Sequence, residues 1–475
     1  MFDKYFQELI DKGQPTGKVV AVNDPLIRVR GLAPVGVNAL VLFDNGMRGL
    51  VREVSRGEVI ILSLGSQRIS LGSMAVQENE HLTVGVGKSL LGRVISPLIR
   101  VLDGGKPINV ETYNPVFRDA PPLSNRQTLD EQLETGVTIV DTLFPIVLGQ
   151  RIAFLGDSKT GKTSLLMQTI ESQIKTGRAV VYVMIAKRPG EIREAIERLR
   201  KSGALEHTVV VATSAFDSLA ESFLAPYAAC AIAEHFWYNG TDTIILYDDL
   251  AAHAQIHREI SLLADANPGR ESYPGDIFYR HSSLLERAGK LANNSKTLTA
   301  IPAVLAPGND VTAYLPTNII SITDGQIIFD TGVFRDGMRP AISTGLSVSR
   351  VGGRAQTSHQ KNIAARVFQI LNDYQDAKQF ARFASEMAID AQNNLVLGDR
   401  IHEAFRQSNF DLYPLAVQQL VLDAALQADL KQKLNMADLK QWALKQNLEL
   451  DLPQRDSTAY DQLVQQAISQ HIGQG

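Results

Sequence analysis

One short stretch narrows what this chain can fold into more than any other: Gly156-Asp157-Ser158-Lys159-Thr160-Gly161-Lys162-Thr163. It satisfies the GxxxxGK[ST] pattern at every fixed position. The apolar run Ile152–Leu155 precedes it, and a helical stretch, Ser164–Lys175, follows. Strand, loop and helix in that order are the context a phosphate cradle requires. Glycines let backbone N–H groups turn inward around phosphate oxygens, and the helix N-terminus adds partial positive charge. Lys162 is placed to reach the β- and γ-phosphates, and the Thr163 hydroxyl to ligate Mg2+. The pattern predicts nucleotide binding in an α/β domain. It does not by itself say whether anything is hydrolysed.

A cradle of this kind needs an acid at the end of another buried strand. Thr243-Ile244-Ile245-Leu246-Tyr247-Asp248-Asp249 offers two. Asp248 follows the apolar run directly and is the candidate to hold Mg2+ through water. Asp249 suits equally the cap of a following helix.

The surrounding texture changes twice. Residues 1–84 carry short β-rich runs broken by Gly, Pro and Asn, such as Lys18–Val22, Leu26–Val29, Ala39–Leu42 and Val59–Leu62. They predict a small antiparallel N-terminal β-barrel. Residues 85–356 alternate buried strands with helices. The predicted strands are Ile152–Leu155, Val180–Ile185, Val209–Ala212, Ile244–Tyr247, Leu298–Val304 and Ile319–Thr323. Continuous apolar strands between helices predict a mostly parallel sheet, here the central α/β P-loop (RecA-like) nucleotide-binding domain. Residues 357–475 turn helical. Ile363, Val367, Ile370 and Leu371 share one helix face, and Val417, Leu420, Val421 and Ala424 another. This end predicts a C-terminal α-helical bundle, with its many Gln residues on a solvated face.

Composition removes whole classes. A formal charge of −4 gives no global attraction to nucleic acid or anionic lipid. The longest apolar stretch, Ala225 to Ala233, is far short of the ~20 residues a spanning helix needs. The single Cys230 has no internal partner and reads as a small core residue in an Ala-rich helix. His253 and His257 stand i, i+4, but no third ligand is near in sequence, so a zinc site is not expected. Trp237 and Trp442 read as packing anchors.

Longer matches point to a family. Pro268–Lys290 (PGRESYPGDIFYRHSSLLERAGK), Thr312–Asp330 (TAYLPTNIISITDGQIIFD) and Gly337–Thr357 (GMRPAISTGLSVSRVGGRAQT) resemble signature stretches of the alpha subunits of F-type ATP synthases. The LYDDL segment at Leu246–Leu250 agrees, and the likeness covers nearly the whole chain in one order. The resemblance implies an ATP/ADP and Mg2+ site that does not turn over. It implies beta subunits alternating with alpha in an alpha3-beta3 ring, around a gamma stalk. Delta and b subunits of a peripheral stalk would complete the assembly. No nucleic acid is expected. Membrane contact would run through partner subunits, on the cytoplasmic face of a bacterial inner membrane. The coupled ion would be H+ or Na+.

The resemblance also assigns residues. Arg350, in Ser347-Val348-Ser349-Arg350, matches the arginine that alpha lends in trans to the catalytic site of beta. A guanidinium is permanently charged and presents a fork of donors to phosphate. Phe334, Arg339 and Gln407 match positions lining the adenine site. Several positions depart from the family pattern. Lys187 stands where beta has its catalytic Glu and alpha a Gln. A protonated Lys has no lone pair to orient or deprotonate water. A register slip would bring Glu191 there instead. At Lys187 the plain alternative is a solvated side chain at a helix start. Lys159 replaces a Gln in the cradle, and Asn409 replaces another in the base pocket. Ser261–Asn267 lacks the family's basic pair, and Met1–Gly13 leaves room for only a short helix. Stalk attachment is therefore in doubt, or made differently. Together these suggest a divergent bacterial member.

Two other readings remain. A self-sufficient homohexameric export or secretion ATPase would need an acid at position 187. A hexameric nucleic-acid translocase would need a basic, aromatic barrel face. Residues 17–84 hold Phe43 as their only aromatic.

Overall fold

The alternation of apolar and polar residues in the first hundred positions gives an antiparallel barrel in the computed structural model, which describes residues 2–55, 57–65, 67–381 and 389–472. Its strands are Thr16–Asn23, Leu26–Arg30, Leu40–Phe43, Arg48–Ser55, Glu58–Ser63 and Met74–Asn79. Thr16–Asn23 pairs with both Leu26–Arg30 and Met74–Asn79, which closes the ring. Val19, Ile27, Val29, Val41, Phe43, Val51 and Ile61 fill the interior. Phe43, the one aromatic there, is fully buried and offers no stacking platform. The short helix Phe2–Asp11 lays Phe6 and Leu9 against Leu42 and Val76.

The chain divides into two compact units, each discontinuous in sequence. The first holds Met1–Gln127, Ile174–Leu305 and Thr312–Ile322. Beyond the barrel it carries parallel strands in the order Thr297–Leu305, Thr243–Asp248, Ala179–Lys187, Thr208–Ser214 and Val94–Ile95. Val180–Ile185 and Ile244–Tyr247 are buried along their whole length, as strands covered on both faces must be. The helix Leu219–Tyr238 packs on this sheet and is buried nearly all round. It contains the Ala225–Ala233 run, and no described helix is long and apolar enough to cross a membrane. Cys230 is buried within it, and burial pushes its thiol up to about 12.

The second unit holds Thr128–Gln173, Ala306–Val311 and Thr323–Gly475. Ala153–Gly156 runs parallel to Gly325–Phe329, and Val348–Ser349 pairs antiparallel with Gly325–Gln326. Helices Ser358–Ala381, Ile389–Phe405, Leu415–Gln427, Met436–Leu444 and Ser457–Gln470 form the bundle expected at this end. Ile363, Val367 and Leu371 are buried, as their spacing predicts.

Two expectations fail. Ile319–Thr323 is not a strand: Tyr314–Ile322 is a helix. Its buried residues Leu315, Pro316, Ile319 and Ile322 follow a helical period that the β-branched composition obscured. The strand lies just beyond, at Gly325–Phe329. The Gln-rich end is not uniformly solvated either. Gln418 and Gln419 are buried, and Gln418 donates to Asp141 Oδ2 at 2.8 Å and to the Tyr413 carbonyl at 2.7 Å.

Candidate functional site

The cradle begins where the Ala153–Gly156 strand ends. Parallel pairing sets Gly156 beside Phe329, and a Cβ there would come within 2.7 Å of the Phe329 carbonyl oxygen. Close backbone approach therefore demands glycine at this position. Gly161, at φ 113°, caps the helix Lys162–Ser172 in a conformation that side chains disfavour. Between them Lys159 also takes a positive φ of 62°. Thr160 is buried and its Oγ1 donates to the Asp157 carbonyl at 2.8 Å. Asp157 accepts from the backbone N–H groups of Ser158 (2.6 Å) and Gly308 (2.9 Å). These two bonds hold its carboxyl below the usual carboxylate range. Lys162 Nζ donates to the carbonyls of Gly156 (2.8 Å) and Asp157 (2.7 Å), so the ammonium lies folded over the loop. Thr163 is exposed one residue on.

A cavity of about 370 Å³ opens beside the loop. Lys159, Thr160 and Gly161 form one wall, and Phe334, Arg339 and Gln407 contribute to the others. The predicted cradle and the predicted base pocket thus belong to one space. Its volume suits a nucleoside-sized ligand. Phe334 is half-buried and sits on the short helix Thr331–Arg335, capped by Asp330. The Arg339 guanidinium lies 3.5 Å from the Phe334 ring centroid. It is pinned there by bonds from Nη1 to the carbonyls of Phe334 (2.7 Å) and Met338 (2.8 Å). Gln407 lines the cavity, yet its amide is fully engaged elsewhere. Oε1 accepts from Thr138 N and Thr138 Oγ1. Nε2 donates to the carbonyls of Gly136 (2.6 Å) and Asp411 (2.7 Å). Gln407 is therefore wall and brace rather than a donor to a base. Ser408 and Asn409 complete that side.

In the first unit, Asp248 ends the Thr243–Asp248 strand and is buried. Lys187 Nζ lies 2.6 Å from its Oδ1, and the Tyr182 hydroxyl donates to its Oδ2 at 2.8 Å. The solvated Lys187 expected at a helix start is not found; its side chain is only 19% exposed. Burial works against the ammonium, but Asp248 and Asp249 outweigh it and the net shift is upward. Tyr182 is held well above its ordinary value by burial and by Asp248. Both Asp248 oxygens thus have close protein partners, one of them cationic. That donor set fits a divalent cation poorly, because the carboxylate charge is already compensated. Asp249 is the cap of Leu250–Leu263, accepting from Ala252 N at 2.7 Å. Glu191 caps Pro189–Ser202 through the Arg188 N–H, at 3.2 Å.

Arg350 follows the edge strand Val348–Ser349 and is exposed. Its backbone N–H donates to the Asp324 carbonyl at 3.0 Å, and Nη1 to the Thr323 carbonyl at 3.3 Å. Asp324 is itself clamped by Arg151 through two guanidinium bonds of 3.1 and 2.8 Å. The histidines hold a surprise. His253 Nδ1 lies 3.1 Å from His281 Nε2, a neighbour that sequence spacing did not reveal. His257 pairs with Asp276 at 2.8 Å. Among the described residues, no three His, Cys, Asp or Glu side chains come together as a metal-binding group. Trp237 is buried and donates to the Lys296 carbonyl at 2.8 Å, as an anchor should.

Two family models match the chain. The ATP synthase alpha/beta family, nucleotide-binding domain, covers residues 136–349, and the ATP synthase alpha/beta chain, C terminal domain, covers residues 356–472. ATP synthase subunit alpha from Caldanaerobacter subterraneus subsp. tengcongensis is 40% identical over 412 residues, which is 86% of this chain and 81% of that one. ATP synthase subunit alpha from Petrotoga mobilis is 41% identical over 423 residues, 88% of this chain and 84% of that one.

Proposed function

The chain belongs to the alpha subunits of the ATP synthase alpha/beta family, and we propose that it is the nucleotide-binding, non-catalytic member of a rotary ATP synthase or ATPase. ATP or ADP occupies the cradle of residues 156–163, with its base against Phe334 and Arg339. The observation that carries the non-catalytic reading is the Lys187–Asp248 pair. The position that would activate water holds an ammonium with no lone pair to offer. Magnesium ordinarily accompanies ATP, and Thr163 and Asp248 are the residues the motif offers it. The pairing of Asp248 with Lys187 leaves it a weak claim on that role.

In this reading the chain alternates with beta subunits around a gamma stalk, with delta and b subunits at the periphery. It is held at a membrane through its partners, and its cycle is coupled to H+ or Na+ movement. Arg350 reaches the neighbouring catalytic site. Its exposure, and the braced Arg151–Asp324 turn beneath it, support that role. The test is Arg350→Ala in the assembled alpha–beta complex. Nucleotide binding to this chain should be unchanged. Multisite turnover should fall by about 10³-fold or more, the scale of arginine fingers in other NTPases. Steady-state hydrolysis near the parent rate would contradict the role in trans.

A further inference from the structure

The nucleotide cavity has a second cavity across one wall of the same compact unit. Residues 333–342 part the two. Phe334, Arg339 and Ala341 line the nucleotide side, Val333, Met338 and Ile342 the other, and Pro340 lines both. Arg339, stacked on Phe334, also bonds to the Met338 carbonyl, so the partition is braced across its width. The second cavity holds about 510 Å³, well within the range of small-molecule sites. Helices Ser358–Ala381 and Ile389–Phe405 supply Leu371 and Tyr374, and Asp399 and His402, to its lining. Its charge is unbalanced. Lys378 faces Asp336 at 3.8 Å and Arg406 faces Glu403 at 3.0 Å. Asp399 has no such cation among the described residues; it accepts a neutral hydrogen bond from the Tyr374 hydroxyl at 2.9 Å. It is exposed, so its charge is reachable from solvent. His402 packs edge-on against Tyr374 at 4.9 Å, and burial lowers its pKa, so the ring stays neutral near pH 7 and adds no positive charge. An uncompensated carboxylate beside aromatic rings attracts an organic cation through its charge and through the ring faces.

We propose that this second cavity binds a small organic cation, an amine carried on an apolar body, and that its filling tightens nucleotide binding across the shared wall. The ammonium is held at Asp399, and the apolar part lies against Val333, Met338 and Ile342. Packing that side of the partition holds Phe334 and Arg339 in their stacked arrangement, which lowers the ordering cost when nucleotide binds. The coupling rests on the reading of residues 156–163 as a nucleotide cradle, whereas the amine site stands on the cavity alone.

Calorimetric titration of the full-length chain with tryptamine and with indole-3-ethanol tests this, since the two differ only in amine against hydroxyl. Tryptamine should bind saturably and about threefold or more tighter than the alcohol, the scale of one partly exposed charge pair. Asp399→Asn keeps an acceptor for Tyr374 and should remove that preference, with the melting temperature and the binding of indole-3-ethanol unchanged. Saturating tryptamine should tighten ATP binding by about fivefold, and ATP should tighten tryptamine binding by the same factor. Equal affinity for amine and alcohol, or a preference that survives Asp399→Asn, overturns the site. Displacement of tryptamine by ATP puts the amine in the nucleotide cavity and overturns it as well. Tryptamine binding with an unchanged ATP affinity overturns the coupling. A chain that binds tryptamine but no ATP, with or without the amine, overturns the cradle reading and leaves the amine site intact.

Discussion

Gln407 and Phe334 line the same cavity and hold it by different means. Gln407 is a brace whose amide satisfies the backbone of residues 136, 138 and 411. Removing it strands several buried groups, each worth roughly 1–3 kcal/mol. Gln407→Leu should therefore lower the melting temperature and the nucleotide affinity together. Phe334 is a half-buried face, so Phe334→Ala should weaken ATP binding by about tenfold with little change in melting temperature, as loss of one aromatic contact implies. Thermal melts beside binding isotherms separate the two, and the same outcome for both variants would contradict this division. Sequence placed both residues in the pocket through family likeness. It could not show that the Gln407 amide is spent, because its partners Thr138 and Gly136 lie 269 and 271 residues away. The Lys187–Asp248 contact, across 61 residues, was hidden for the same reason.

At the level of elements, the period of apolar residues proved a better guide than their type. The parallel strands were legible because runs such as Thr243–Asp248 are buried throughout. Ile319–Thr323 reads as a strand because isoleucine and threonine favour one, while burial over Tyr314–Ile322 follows a helix. Buried ion pairs tie elements together in ways the sequence does not announce. Arg287 and Glu234 are each about 1% exposed and meet through two bonds of 2.7 Å, joining the helix Leu219–Tyr238 to the end of Ile277–Leu285. Arg287→Met leaves a buried carboxylate alone and should cost about 3–5 kcal/mol in urea unfolding. A loss below about 1 kcal/mol would place the pair's charge elsewhere. In the helical region His359 lies 2.6 Å from Asp423, which also accepts from Tyr460. The bond to Asp423 raises the His359 pKa above the ordinary value for an imidazole. A raised folded value adds stability that is full below the unfolded pKa and lost as pH rises through the folded one. The chain should thus melt higher near pH 6 than near pH 8, and His359→Gln should flatten that difference. An unchanged slope in the variant would exclude this pair as its source.

At the scale of the molecule, the question is what the chain can do without partners. Hydrolysis needs a group that orients or deprotonates water, and the acids that the sequence offers for such work are committed. Asp248 is paired with Lys187, Asp249 caps one helix, and Glu191 caps another. The purified chain should therefore take up ATP and release it unchanged, with phosphate appearing only after catalytic subunits are added. Lys187→Glu is the sharper form of the same test. It places a second carboxylate beside Asp248, and two like charges at that distance repel and favour one protonated acid. That variant should bind ATP more weakly and still not turn it over alone, since a carboxyl kept protonated by its neighbour cannot take a proton from water. Measurement is of phosphate release by the isolated parent and variant chains, freed of other subunits. Sustained release by the parent would make it a self-sufficient motor. Release by Lys187→Glu alone would show that a single side chain separates this chain from an active ATPase.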